Sequence, residues 1–359
     1  MAKINEVKRM NLYKSNTYIS DLKTTVDMIV NVGHLSGRSI LVTGATGLIG
    51  SYIIDTLIMC NKKLNTDIKI YAVGRDERRL KKRFDEWNDG SIVYICHDVN
   101  YPVDFDVKAD YIIHAAANSY PKLFAENPTD TLINSVVSTR YYLEYAHKNN
   151  SLRFLYVSSG EIYGQYDGVT LEYPENYSGY VDTLNPRSCY PIGKRAAENL
   201  CASFSKQYGL DAVITRLCHT YGANMTSSDN RANAQFLQCA TIGQNIIMNS
   251  SGSQLRSYCY LADAISAILT VLINGKCHEA YNIANPDSII TIAEFAEIAA
   301  EKGGCEVYMQ TDNVQKDQLS PISRQVLNVE KLMKLGWCGK FDVETGIKHT
   351  INILKESGF

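Results

Sequence analysis

The segment that most constrains this chain is Thr43-Gly44-Ala45-Thr46-Gly47-Leu48-Ile49-Gly50, set between a short apolar run, Ser39–Val42, and an amphipathic stretch, Ile49–Cys60. Its glycines fall in a G-x-x-G-x-x-G pattern. Between a strand and a helix, that spacing permits a tight turn and brings a pyrophosphate close to the backbone N–H groups of a helix amino terminus. The segment therefore predicts a dinucleotide-binding βα unit, with Gly44, Thr46, Gly47, Leu48, Ile49 and Gly50 around the ligand.

The chain then alternates short β-rich runs with longer helical ones. Lys69–Val73, Val93–Cys96, Tyr111–His114, Phe154–Ser158 and Ala212–Arg216 read as further strands. Glu77–Trp87, Asp130–Asn149 and Ile192–Tyr208 carry helix periodicity and are long enough to be crossovers. The pattern predicts an α/β fold, a Rossmann-type doubly wound parallel sheet. Regularity weakens after Arg216, where loops rich in Asn, Ser and Gly (Ala223–Asn233, Asn249–Gln254) separate helical stretches at Ala262–Ile273, Ile292–Lys302 and Val343–Lys355. We read three parts: an N-terminal extension, 1–37, with a helical stretch at Tyr18–Val30; a dinucleotide-binding domain, 38–216; and a smaller C-terminal lobe, 217–359, mainly for substrate, with interleaving into the sheet left open.

Bulk properties narrow the partners. With 36 Lys+Arg against 38 Asp+Glu, the formal net charge of −2 gives no electrostatic case for nucleic acid or an anionic membrane. The ten cysteines contain no C-x-x-C pair, so neither a disulfide framework nor a metal site is expected. Met1–Tyr18 lacks the apolar centre of a signal peptide, and no stretch nears the ~20 apolar residues of a membrane span. A cytoplasmic protein is expected.

Chemistry enters after the fifth strand. Tyr190 and Lys194 form Y-x-x-x-K, and i,i+4 spacing puts both side chains on one helix face. A free phenol with pKa near ~10 is a poor base at neutral pH, whereas a nearby ammonium favours the phenolate, which can then take a proton from a hydroxyl. The strand itself ends Val157-Ser158-Ser159-Gly160-Glu161-Ile162-Tyr163-Gly164, carrying a hydroxyl and a carboxylate at its carboxyl end.

From Ser39 to its end the chain resembles the short-chain dehydrogenase/reductase superfamily, in the extended branch of nucleotide-sugar enzymes. Asp98-Val99 resembles the family's adenine contact, His114-Ala115-Ala116-Ala117 its small-residue wall beside the cofactor, and Asn134 a helical asparagine of the family. The resemblance implies a Ser159–Tyr190–Lys194 site in which Lys194 also holds the nicotinamide ribose. It implies NAD as cofactor. Gly74, however, stands where NAD enzymes usually carry an acid, and the neighbouring Arg75 leaves NADP open.

Ser159-Gly160-Glu161 matches the Thr-Ser-Glu of UDP-glucuronate decarboxylases better than the Thr-Asp-Glu of 4,6-dehydratases, because Gly160 offers no acid. Asn185-Pro186-Arg187-Ser188-Cys189-Tyr190 and Gly193-Lys194-Arg195-Ala196-Ala197-Glu198 also resemble that decarboxylase-related branch, although Pro191 and Ile192 replace two acidic residues. Gly252-Ser253-Gln254-Leu255-Arg256-Ser257 resembles its segment bearing an arginine for the sugar acid or phosphate, which makes Arg256 the leading substrate contact. Arg324 precedes a pattern like the family's L-x-x-L-G-W and is a second candidate for the nucleotide diphosphate. His219 occupies the place of a usual substrate-contacting Asn, so specificity stays open there.

The resemblance implies oxidation of a nucleotide-linked sugar at C4. The resulting ketone acidifies C5–H and makes a C6 carboxylate a β-keto acid. The leading expectation is a UDP-glucuronate decarboxylase-like homodimer acting on a UDP-linked sugar, with Ser159 and Glu161 touching substrate. A 4-epimerase or 4,6-dehydratase is the enzymatic alternative, and a non-catalytic dinucleotide-binding protein the alternative of another class.

Overall fold

The structure, a computed structural model, describes residues 11–117, 121–226, 229–310 and 322–359, without the side chains of 121–123. Residues 1–10 of the polar amino terminus and positions 227 and 228 of the Asn-rich loop lie outside the described residues. The first half runs α1 (Asn16–Met28), β1 (Ser39–Thr43), α2 (Leu48–Leu64), β2 (Lys69–Gly74), α3 (Glu77–Phe84), β3 (Ile92–Cys96), β4 (Tyr111–His114), α4 (Pro121–Glu126), α5 (Pro128–Lys148), β5 (Arg153–Ser159), α6 (Cys189–Tyr208) and β6 (Ala212–Leu217). The second runs β7 (His219–Tyr221), α7 (Ala232–Thr241), β8 (Ile246–Met248), β9 (Leu255–Tyr260), α8 (Leu261–Asn274), β10 (Ala280–Ile283), β11 (Ile289–Thr291), α9 (Ile292–Gly303), β12 (Val307–Met309), β13 (Arg324–Gln325), α10 (Glu330–Met333) and α11 (Val343–Ser357).

Seven strands form one parallel sheet in the order β10-β6-β5-β4-β1-β2-β3. Ile40, Leu41 and Val42 of β1 are fully buried, as a strand covered on both faces requires. The chain leaves β1 in one direction for β2 and β3 and returns on the other side for β4, β5 and β6. The carboxyl ends of β1 and β4 therefore bound the crevice where open α/β sheets take ligands. The seventh strand, β10, comes from within 217–359 and pairs with β6. The rest of that segment adds two small sheets, one built around β9 with β7, β11 and β13, the other pairing β8 with β12.

Helix ends follow their local chemistry. Asp76 caps α3, accepting from the N–H groups of Arg78 and Arg79. Thr291 and Glu294 form a reciprocal capping box on α9. Helix α1 buries Tyr18, Leu22 and Val26 and touches both halves of the molecule. Its Tyr18 hydroxyl donates to Asp55 of α2 and accepts from Asn224, while Asp21 accepts from Tyr260 and pairs with His349 of α11.

Candidate active site

The glycine loop is built around close backbone approach. Gly44 has φ +67°, and a Cβ on it would lie 3.0 Å from the Ala115 carbonyl oxygen and the Ala116 nitrogen. A Cβ on Gly50 would lie 2.3 Å from the Gly44 carbonyl oxygen. Larger residues would fill this cradle, which is what a bound pyrophosphate needs kept open. Thr43 fixes the opposite wall, its Oγ1 accepting from the N–H groups of Ala115 and Ala116 at 3.1 Å each.

Two hollows meet at Gly44, Ala116 and Ala117. The first, of about 240 Å³, is lined by Gly47, Leu48, Ile49, Gly50 and Ala115 together with Ser159, Glu161, Tyr190, Lys194 and His219. The second, of about 160 Å³, is lined by Thr46, Arg75, Asp98, Val99 and Asn134. The fold thus gathers every residue expected from the sequence to hold a dinucleotide along one cleft, and the glycine cradle fits such a group. Arg75 is exposed beside Gly74 at the rim. Asp76, the acid one residue further on, spends its carboxylate on the α3 cap.

Ser159 closes β5, while Tyr190 and Lys194 occupy the first turns of α6. Lys194 is buried, donates from Nζ to the Val157 carbonyl at 2.7 Å and lies 4.7 Å over the Tyr156 ring. Burial pulls its pKa down to about 8, opposed by Glu198. Burial pushes Tyr190 up to about 12, and Glu161 adds to this, while a hydrogen bond with Ser159 and the charges of Arg231 and Arg187 oppose it. The resting phenol is therefore neutral at pH 7. His114, behind the pair, is driven down to about 3 by burial and by Lys194, so it is neutral as well.

Glu161 is not a solvated loop carboxylate. Arg187 Nη2 donates to both of its oxygens, at 3.1 and 3.2 Å, and its own N–H donates to Ser159 Oγ at 3.2 Å. The Arg187 guanidinium lies 4.8 Å over the Phe124 ring, which stacks on Tyr190 with centroids 4.5 Å apart. Arg187 and Phe124 are residues that sequence reasoning missed. Arg187 stands within the segment compared with the decarboxylases, but no local spacing pairs it with a carboxylate 26 residues away.

The expected substrate residues separate. His219 lines the cleft, with Nδ1 buried and unpartnered among the described residues; burial, Arg256 and Arg231 drive its pKa down to about 3. Arg256 is 1% exposed, donates to the carbonyls of Leu255 and Ile322, and is not part of the cleft lining. Arg324 turns away too, its Nε donating to the Leu171 carbonyl at 2.7 Å. Arg231, paired with Asp229, and Gln325 line the cleft without having been expected there.

A parallel doubly wound sheet, a glycine cradle at its switch point and a Ser–Tyr–Lys group at the end of β5 define a dinucleotide-binding protein of the extended short-chain dehydrogenase/reductase type. The chain belongs to the NAD dependent epimerase/dehydratase family, whose sequence profile matches residues 40–284. It is an NAD-dependent enzyme of that type. Over 315 residues it is 32% identical to UDP-glucuronic acid decarboxylase 6 of Arabidopsis thaliana, covering 87% of each chain. Over 315 residues it is 30% identical to UDP-glucuronic acid decarboxylase 1 of Danio rerio, covering 88% of this chain and 72% of that one. The fold is shared with a UDP-glucose 4-epimerase of Thermotoga maritima solved with UDP-glucose (TM-score 0.73, 21% identity, 87% of this chain and 97% of that one). It is shared equally with a dTDP-glucose 4,6-dehydratase of Streptomyces venezuelae solved with NAD (TM-score 0.74, 21% identity, 89% and 97%). Among the described residues no helix is long and apolar enough to cross a membrane.

Proposed function

We propose that this chain is a UDP-glucuronate decarboxylase-like enzyme, with residues 38–216 mainly holding NAD and 217–359 mainly holding the nucleotide sugar. The observation that carries the reading is Glu161, held by Arg187 in the same hollow as Ser159 and Tyr190, next to a Gly160 that supplies no acid. NAD, when bound, supplies the acceptor and later the donor of a hydride at C4. Gly44, Gly47 and Gly50 lie where backbone N–H groups meet its pyrophosphate, with Thr46, Leu48, Ile49, Arg75, Asp98, Val99, Ala115, Ala116, Ala117 and Asn134 along the rest of the dinucleotide.

In this reading Tyr190 takes the proton of the C4 hydroxyl, Ser159 hydrogen-bonds the same oxygen and Lys194 stabilises the phenolate. With the ketone at C4 as electron sink, the C5–C6 bond of a uronic acid breaks to release CO2. Glu161, or a water it holds, then delivers to C5 a solvent-derived proton in place of the departed CO2. The two decarboxylase relatives support this choice over the alternatives. We place the enzyme in the cytoplasm as a homodimer through α5 and α6, helices that pack closely on each other and leave Ile133 exposed.

The deciding experiment incubates the NAD-loaded enzyme with UDP-, dTDP-, GDP- and CDP-sugars, glucuronates included, and reads product mass and CO2. Loss of CO2 from UDP-glucuronate is expected. Loss of water from a neutral hexose would make the enzyme a dehydratase, and an isomer of unchanged mass would make it an epimerase. An inert panel despite tight cofactor binding would favour the non-catalytic alternative.

A further inference from the structure

Opposite Gly160 the cleft is closed by a side chain from the far end of the sequence. Gln325 is 2% exposed yet lines the hollow with Ser159, Glu161 and Tyr190. A Cβ built on Gly160 would lie 3.4 Å from Gln325 Cδ and 3.5 Å from its Nε2, so the carboxamide fills the niche in front of that glycine. The backbone carrying it is pinned on two sides. Residues 324–325 pair with Leu255–Arg256 of β9, while the buried Tyr173 donates from its hydroxyl to the Arg324 carbonyl at 2.8 Å and from its N–H to the Val326 carbonyl at 2.7 Å. Among the described residues the carboxamide itself has no hydrogen-bond partner. A largely buried and firmly held side chain thus presents an unpaired carboxamide to the cleft, where a ligand can meet it.

We propose that Gln325 reads the C6 substituent of the sugar. The inference rests on the function proposed above. If the C4 oxygen lies at Ser159 and Tyr190 and C5 at Glu161, the exocyclic carbon on C5 faces the residue between them, Gly160, and so meets Gln325. An amide suits a uronic acid here for a physical reason. Decarboxylation carries negative charge away from the carboxylate toward the C4 oxygen, so a cation at C6 would stabilise the ground state more than the transition state. Neutral N–H donors orient the carboxylate with less of that penalty. Gln325 is the register partner of Arg256, so the contact that the sequence suggested for Arg256 passes to its neighbour across the strand pair.

The test uses NAD-loaded protein carrying Tyr190→Phe to arrest turnover, with affinities measured by calorimetry for UDP-glucuronate, UDP-glucose and UDP-xylose, which lacks C6. Gln325→Met keeps the length and removes the hydrogen bonds. It is expected to weaken UDP-glucuronate about 10-fold or more while leaving UDP-xylose within about 2-fold, the scale of a lost hydrogen bond to a charged group. Gln325→Glu should weaken UDP-glucuronate further by placing like charges together, and unchanged UDP-xylose binding certifies the fold of each variant. Equal losses for all three sugars, or none, would overturn the proposal. If UDP-glucuronate does not bind but UDP-glucose does and loses affinity in Gln325→Met, the role of Gln325 stands and the decarboxylase reading falls. If no UDP-sugar binds at all, both fall.

Discussion

Lys194→Met should make the protein more stable at pH 7 while removing its activity. Burial holds Lys194 at about 8 against an ordinary 10.5, and each unit of pKa is worth about 1.4 kcal/mol, so folding with the charged side chain costs about 3 kcal/mol. Methionine matches the side chain in length and carries no charge. The substitution forfeits the hydrogen bond to the Val157 carbonyl and the contact with the Tyr156 ring, roughly 1–2 kcal/mol together. A net gain on the order of 1–2 kcal/mol remains, a rise in Tm of a few degrees for a chain of this size. The pH dependence has a definite sign. Because the folded pKa lies below the unfolded one, the unfolded chain binds more protons between pH 8 and 10.5. Wild-type stability relative to the variant therefore climbs with pH through that window. The variant's advantage is full below pH 8 and gone above 10.5, where the lost hydrogen bond leaves it the weaker protein. Calorimetric melting of both proteins from pH 7 to 10.5 reads this directly. A variant that melts lower at pH 7, or a gap that does not change with pH, would refute the assignment of burial as the dominant influence on Lys194.

Two further outcomes follow from the site. Tyr190→Phe should leave the fold intact and lower turnover at least ~10²-fold, the scale of general-base catalysis; near wild-type turnover in a folded variant would remove Tyr190 from the reaction. Cofactor-free protein should bind NAD more tightly than NADP, as membership of the NAD dependent family implies, even though Gly74 supplies no acid and Arg75 stands exposed at the rim; a preference for NADP that Arg75→Ala abolishes would reverse the choice.

Local signals carried most of the architecture. The six strands from Ser39 to Arg216 and four of the helices between them, α2, α3, α5 and α6, have the expected boundaries to within a few residues, since each has its own apolar run or helical period. The glycine loop and Y-x-x-x-K located the cleft because both are short-range motifs whose residues meet through one turn or one helix. What escaped depends on long-range register. β10 is a four-residue strand, Ala280–Ile283, too short to announce its place beside β6. Arg256 looked like a ligand contact from its segment, but it points at backbone carbonyls, while its cross-strand neighbour Gln325, 69 positions later in the sequence, lines the cleft. The Asp21–His349 pair, 328 residues apart, likewise has no local trace.

The missed residues change how the expected ones work. A carboxylate beside a tyrosine that acts as a base opposes that base, because each negative charge disfavours the other, and Glu161 does push Tyr190 upward. The fold answers with Arg187, which grips Glu161 by both oxygens and approaches Tyr190 through the Phe124 stack, and with Arg231, whose charge also favours the phenolate. Lys194, at about 8, is mostly charged at pH 7, and His114, at about 3, adds no second positive charge beside it. Burial, with Glu161 behind it, outweighs Ser159, Arg231 and Arg187 and leaves Tyr190 at about 12, still protonated in the free protein. Glu161 and Tyr190 thus share one hollow in which the charges of Arg231 and Arg187 offset part of what the carboxylate does to the phenol. Glu161, on which the decarboxylase reading rests, and Tyr190, its proposed base, are therefore electrostatically coupled.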